Sequence, residues 1–215
     1  MSSSESLFEH GRKVQAERDA PLAERMRPST FDEFVGQNQI VDPDRVLLRS
    51  IAAGRLPSII LWGPPGTGKT TLARLVASST QSDFQSVSAV TSGVADLRRI
   101  VAEARDRKGM HQQSTILFVD EIHRFNKAQQ DVILPHVEDG TVTFIGATTE
   151  NPSFEVNAAL LSRSQVYVLR PLTVPDITTI LTRALADETR GLGGQDLQVD
   201  AAALAAIARH ANGDA

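Results

Sequence analysis

The chain has 215 residues, 41% hydrophobic and 22% charged, with a formal charge of −4 and no cysteine. That balance is an ordinary globular one, room enough for one large domain or a domain with a small appendage. It excludes disulfides, thiol catalysis, cysteine-ligated zinc and a bulk polycation that would coat nucleic acid.

Residues 1–20 are polar with mixed charge and little periodicity, and read as a flexible lead-in. They have neither the basic start nor the apolar stretch of a secretory signal. The longest apolar run, Ile59-Ile60-Leu61-Trp62, is strand-sized, far below the roughly 20 residues needed to cross a bilayer, so no membrane association is expected. These features suit a cytoplasmic protein. In 21–39, Pro28 blocks a continuous helix and Ser29/Thr30 precede a short capped turn at Phe31-Asp-Glu-Phe34.

A helix over 46–53 stopping at Gly54 is predicted next. The pattern then alternates: strand 58–62, helix 70–79, strand 84–89, helix 94–107 ending near Gly109, strand 114–120, helix 127–138 poorly tolerant of Pro135, strand 142–148, a short helix 157–161 and strand 166–169. Strand-length apolar runs separated by amphipathic helices define a parallel sheet covered on both faces. After Pro171 the composition turns helical, with helices at 176–190 and 200–210 joined by Gly191-Leu-Gly-Gly194. The expected organisation is a lead-in (1–20), an α/β core (21–170) and a helical region (171–215). Asp214 resembles the N-cap of a third helix, so the helical region is expected to be a truncated one.

The strongest chemical signal is Gly63-Pro64-Pro65-Gly66-Thr67-Gly68-Lys69-Thr70, between a strand and a helix. Glycines let the backbone curl so that successive N–H groups face a phosphate, and the following helix adds its N-terminal dipole. Lys69 would place a point charge on the β/γ-phosphates, and the Thr70 hydroxyl is a hard ligand for Mg²⁺. A second element, Thr115–Glu121, ends a buried strand in two adjacent carboxylates. Asp120 is expected to hold magnesium and Glu121 to polarise the attacking water. A third strand, Thr143–Thr149, ends in hydroxyls beside that one. Thr149, or Thr148, is placed to bond the attacking water or the γ-phosphate. Arg163, in Leu160-Leu-Ser-Arg163-Ser, can reach a neighbouring subunit's ATP.

Together these residues resemble the AAA+ superfamily. Val35-Gly36-Gln37 is similar to its adenine-side box, Gly63–Thr70 with Thr71 to Walker A, and Phe118–Glu121 to Walker B. Gly146–Thr149 is similar to sensor 1, and Leu161-Ser-Arg163 to the arginine-finger box. More narrowly, Arg27-Pro-Ser-Thr-Phe-Asp-Glu-Phe-Val-Gly-Gln37, Asp120-Glu-Ile-His-Arg-Phe-Asn126 and Glu150-Asn-Pro-Ser-Phe-Glu-Val-Asn157 resemble the clamp-loader-related family of replication-associated recombination protein A. The resemblance implies an α/β P-loop NTPase (AAA+) sheet flanked by helices, followed by part of a small all-α lid. It also implies an ATP- and Mg²⁺-dependent homo-oligomer at stalled or gapped forks, nucleoid-associated, with DNA junctions or ends and single-strand-binding protein as partners. The family's second sensor arginine falls beyond the Gly-Asp-Ala turn at the end of this sequence, so turnover by these 215 residues is expected to be weak.

Two relatives fit less well. A clamp-loader motor subunit carries a four-cysteine zinc module that this chain lacks, and the Holliday-junction motor RuvB inserts a β-hairpin between Walker B and sensor 1. Weaker candidates remain. Arg98, Arg99, Arg105, Arg107 and Lys108 are placed to grip DNA phosphates, as in rings whose equivalent helix faces the channel. Ser88 or Thr91 is placed to restrain Glu121, and Arg124 and Asn126 to relay across a subunit interface. No histidine is assigned to a metal, because none forms an i, i+4 pair. The alternative function is an ATP-gated scaffold or clamp-loader-like subunit whose nucleotide state controls partner binding.

Overall fold

The computed structural model describes residues 20–195 and 197–215. The expected lead-in lies outside them except for Ala20. Two compact units emerge: Thr30–Pro171, and residues 20–29 with Leu172–Ala215. The sequence reading had the core begin at Pro21.

The larger unit is a five-stranded sheet. Its strands are β1 (Ser58–Trp62), β2 (Asp83–Ser88), β3 (Thr115–Asp120), β4 (Thr143–Thr148) and β5 (Ser164–Val168), in spatial order β2-β3-β4-β1-β5. Every pairing is parallel. The helices between strands are α4 (Lys69–Ser79), α5 (Val94–His111) and α6 (Lys127–Glu138), with short α7 (Pro152–Glu155) and α8 (Ala158–Leu161) before β5. Ahead of β1 come α1 (Leu22–Arg25, in the smaller unit), α2 (Asn38–Val41) and α3 (Val46–Ala52).

Alternation along the buried strands splits the core into two layers. Ile60, Leu117, Val119 and Phe144 pack with Leu97, Ile100 and Ala104 of α5 and Ile133 of α6. Ile59, Leu61, Ile116, Phe118, Ile145 and Ala147 face the other way, onto Leu72, Ala73 and Val76 of α4 and Leu47 of α3. A strand covered on both faces has no polar side to show, which is why these runs read as continuously apolar. Phe84 of edge strand β2 stacks on Phe118 at 5.6 Å between centroids and receives the Arg74 guanidinium 5.7 Å above its ring.

Several element ends differ from the sequence reading. α5 runs through Gly109 to His111 and stops at Gln112, which takes the left-handed conformation (φ 52) instead of the glycine. One glycine costs a helix only about 1 kcal/mol, too little to end it. α6 passes through Pro135. The proline is exposed and in the last turn, so the carbonyl it deprives of a partner is left close to water. The short helix expected at 157–161 is α8, capped by Asn157, whereas α7 ahead of it and α2 are four-residue helices with no strong periodic signal.

In the smaller unit, α9 (Val174–Ala186) starts three residues after Pro171, and Thr173 and Asp176 form a reciprocal capping box. The helix ends at Ala186, not Arg190, because Asp187 folds the chain back. Its carboxylate accepts the Thr189 and Arg190 N–H groups at 2.9 and 2.8 Å. A Cβ on Gly191 would meet the Ala184 carbonyl oxygen at 2.2 Å, so only glycine allows that turn to close. α10 (Ala201–His210) is capped by Asp200, whose side chain accepts the Ala203 N–H.

Candidate active site

The loops after β1, β3 and β4 leave the same carboxyl edge of the sheet, where crevices in parallel α/β sheets collect ligands. The three strands are neighbours, so the Gly63–Thr70, Asp120-Glu121 and Thr148-Thr149 motifs converge there, whereas Arg163 immediately precedes β5 at the opposite edge of the sheet.

The Gly63–Thr70 loop is built by exclusion of side chains. Gly63 donates its N–H to the Thr148 carbonyl at 3.1 Å, and a Cβ there would lie 2.4 Å from the Leu169 carbonyl oxygen. Gly68 has φ +91, and its missing Cβ leaves room for the Phe34 ring, 2.9 Å from where that atom would be. Thr67 is buried, its hydroxyl donating to the Pro64 carbonyl at 2.9 Å. The helix α4 starts at Lys69, so Lys69 and Thr70 sit in its first turn, at the positive end of the helix dipole. The Lys69 ammonium lies 2.7 Å from the carbonyls of Gly63 and Pro64, across the mouth of the loop. Pro64 and Pro65 are exposed, Gly66 turns at φ +67, and Thr70 is half-buried, while Thr71 is buried in α4.

Asp120 ends β3, opposite Ser88 in register, and accepts the Glu121 N–H at 3.1 Å. Burial raises its pKa above the ordinary carboxylate value, an effect opposed by that N–H bond and by the Lys69 charge. Glu121 has φ 57, a left-handed conformation unusual outside glycine, and heads a 3-10 turn over Ile122–Arg124. Among the described residues no three His, Asp or Glu side chains converge as a metal cage. Thr70 and Asp120 offer a hydroxyl and a carboxylate oxygen, hard donors of the kind magnesium takes together with phosphate oxygens.

Other candidates fall differently. Gln37 is buried at φ 57, and its amide is spent on backbone: it donates to the Arg170 carbonyl at 2.7 Å and accepts the Arg170 N–H at 3.0 Å. Val35 and Gly36 are half-buried beside it, Gly36 at φ +74. Thr148 is fully buried with an engaged hydroxyl, whereas Thr149 is half-buried and makes no side-chain hydrogen bond among the described residues. Ser88 accepts the Val90 N–H at 3.3 Å and does not hold Glu121; Thr91 is exposed. Glu121 instead has His123 Nε2 at 3.4 Å and Arg124 Nε at 3.9 Å. The sequence reading left His123 out because it looked only for metal spacing. Asn126 is the N-cap of α6, exchanging bonds with Gln129 at 2.9 Å each way, so its Oδ1 is committed to capping. Arg163 pairs with Glu138 at 2.7 Å and donates to the Ala159 carbonyl at 3.0 Å.

On the exposed side of α5, Arg99 pairs with Glu103 at 2.8 Å and Arg105 with Asp139 at 3.6 Å. Arg107 is turned into Asp83 and Glu103, and Lys108 donates to the Gly140 carbonyl at 2.6 Å. Arg98 is exposed with no ion pair among the described residues.

A parallel sheet in this order, with a phosphate-cradling loop after one strand and an Asp-Glu pair after a neighbouring one, defines an AAA+ P-loop NTPase. The chain belongs to the family of the Holliday junction DNA helicase RuvB P-loop domain, whose model matches residues 26–162. Within that setting it is 55% identical over 195 residues to replication-associated recombination protein A of Escherichia coli K12, covering 91% of this chain and 43% of that protein. The ATPase WRNIP1 of Dictyostelium discoideum is 46% identical over 196 residues, 91% of this chain and 22% of that protein. Among solved structures, the Holliday junction branch migration motor RuvB of Thermotoga maritima superposes with a TM-score of 0.70 at 31% identity, over 88% of this chain and 61% of that one. The chain thus spans under half the length of these recombination relatives. The resemblance drawn from the sequence, an AAA+ ATPase of the recombination protein A kind, is borne out. The RuvB P-loop domain proves nearer than the sequence reading allowed. Even so, residues 121–142 hold one 3-10 turn and one helix, with no strand.

Proposed function

We propose that this chain binds and hydrolyses ATP as the motor portion of a DNA-directed protein acting at stalled or gapped replication forks. The observation that carries the ATPase reading is the convergence of the Gly63–Thr70 loop, Asp120 and Glu121 at one sheet edge. The loop's N–H groups receive phosphate oxygens, and Lys69 exchanges its bonds to the Gly63 and Pro64 carbonyls for the terminal phosphates. Thr70 and Asp120 would hold Mg²⁺, which supplies charge neutralisation on the phosphates during transfer. Glu121 takes the proton of the attacking water, and Thr149, the free hydroxyl at the end of β4, orients that water. Arg163 serves the ATP of an adjacent copy after leaving Glu138, which places the site at a subunit boundary of a homo-oligomer. The replication and recombination setting rests on the names of the relatives, and both the action at forks and single-strand-binding protein as a partner rest on the family resemblance.

The test is a pair of variants. Lys69→Ala should lose tight ATP binding. Glu121→Gln should keep binding, because the phosphate cradle is intact, and lose turnover by about 100- to 10,000-fold, the range for removing a general base. Hydrolysis that survives in the glutamine variant would sink the role given to Glu121. An ATP-gated scaffold is the competing reading; turnover indifferent to gapped DNA while partner affinity follows nucleotide would favour it.

A further inference from the structure

We infer that His123 is a positioning residue that ties the Glu121 carboxylate to the end of β4. This deepens the ATPase reading and rests on it. The His123 side chain is only 9% exposed, wedged between two partners 27 residues apart. Its Nδ1 lies 3.0 Å from the Thr148 hydroxyl, and its Nε2 lies 3.4 Å from Glu121 Oε2. Thr148 is itself fully buried and pinned, accepting the Glu150 N–H at 3.0 Å, so the ring hangs from a fixed point on the sheet.

That role requires the ring's proton on Nε2. The Thr148 hydroxyl has one hydrogen and two candidate acceptors, His123 Nδ1 at 3.0 Å and the Glu150 carbonyl at 3.3 Å. Donation to the nearer one puts the ring's N–H on Nε2, the nitrogen nearest Glu121 Oε2. Both of the N–H neighbours of Glu121 approach Oε2, since Arg124 Nε also lies 3.9 Å from that oxygen. Oε1 is the oxygen left to take a proton from water. Glu121 needs such a hold because, among the described residues, its left-handed backbone and half-exposed carboxylate are otherwise steered only by exposed Arg124. A shift of the end of β4 therefore moves the general base through His123, which makes Thr148, not Thr149, the coupling threonine.

Single-turnover hydrolysis and ATP affinity should be measured for His123→Ala, His123→Asn and His123→Gln in the full chain, beside Glu121→Gln. Asparagine can replace Nδ1 but not reach Glu121; glutamine can replace Nε2. Alanine and asparagine should slow hydrolysis about 10- to 100-fold, the scale of a misplaced catalytic group, with ATP affinity within about twofold, and glutamine should restore part of the loss. Imidazole ¹⁵N shifts give a readout independent of turnover: His123 should be held as the Nε2–H tautomer, and Thr148→Val should release it. Unchanged hydrolysis in His123→Ala, equal losses in the asparagine and glutamine variants, or a tautomer mixture insensitive to Thr148→Val would overturn the inference. If Glu121→Gln hydrolyses normally, the ATPase reading fails instead; if it is dead while His123→Ala is normal, only the role of His123 falls.

Discussion

Two carboxylates show opposite uses of a side chain. Glu121 sits at φ 57, where a residue bearing a Cβ pays on the order of 1 kcal/mol, and its carboxylate is left with one oxygen free for chemistry. Asp187 serves stability: its carboxylate accepts two backbone N–H groups and the Thr189 hydroxyl at 2.8 Å, and it pairs with Arg190 Nε at 3.0 Å. Those donors hold its pKa well below the ordinary carboxylate range. A depressed folded-state pKa means that the unfolded chain binds protons first, so this stabilisation is present above about pH 4 and fades as pH falls toward the folded value. Asp187→Asn should thus lower the thermal midpoint at neutral pH, and the gap from wild type should close in acid. A gap that stayed constant with pH would mean that the turn needs the shape of the side chain and not its charge. Lys69, Thr70, Asp120 and Glu121 were legible because phosphate and magnesium chemistry demands those types at contiguous spacing. His123 was not, since its anchor is Thr148, 25 residues away on another strand. Gln37 was legible as a motif but not in its use, because only the fold brings the Arg170 backbone to its amide.

Elements here are delimited by side chains that cap them, and one buried amide joins three of them. The stretch Glu150–Asn157, the most distinctive part of the sequence, is two successive helix starts: Asn151 accepts the Ser153 N–H, and Asn157 accepts the Ala159 N–H, each at 3.0 Å. Gln130, 1% exposed in α6, holds this stretch. Its amide donates to the carbonyls of Phe125 and Glu155 at 3.0 Å each and accepts the Asn157 N–H at 2.7 Å. Asn157 reaches back to Asp131 on the same helix. Gln130→Leu would keep the volume and strand three backbone groups, at a cost of about 2–4 kcal/mol. Urea unfolding measures this directly; a loss below about 1 kcal/mol would show that water or a local shift replaces the amide. The strands and long helices were readable from apolar period alone. The ends were not, because Gln112 and Asp187 stop helices through bonds and backbone angles that a periodicity does not encode.

At the scale of the molecule, a net charge of −4 gives no general attraction for DNA, so the proposed binding would have to come from a local patch. The exposed arginines of α5 are the candidate. Arg98 has no ion pair among the described residues, and the partners of Arg99 and Arg105 are held in surface pairs worth at most about 1 kcal/mol, which a phosphate can displace. Arg107 and Lys108 are tied to Asp83, Glu103 and the Gly140 carbonyl, and are the weaker members of the set. Three phosphate contacts release about three counterions, so log affinity for gapped duplex DNA should fall with log salt at a slope near −2.7, shallow for a DNA-binding protein. Changing Arg98, Arg99 and Arg105 to glutamate should flatten that slope toward zero and weaken binding at low salt, while ATP affinity stays as it was because none of the three touches the loop at Gly63–Thr70. A slope unchanged by the triple variant would move the DNA face elsewhere on the molecule. A steep slope in the parent chain would mean that several copies bind together, each adding its own arginines, which is the behaviour expected of a ring assembled around the strand.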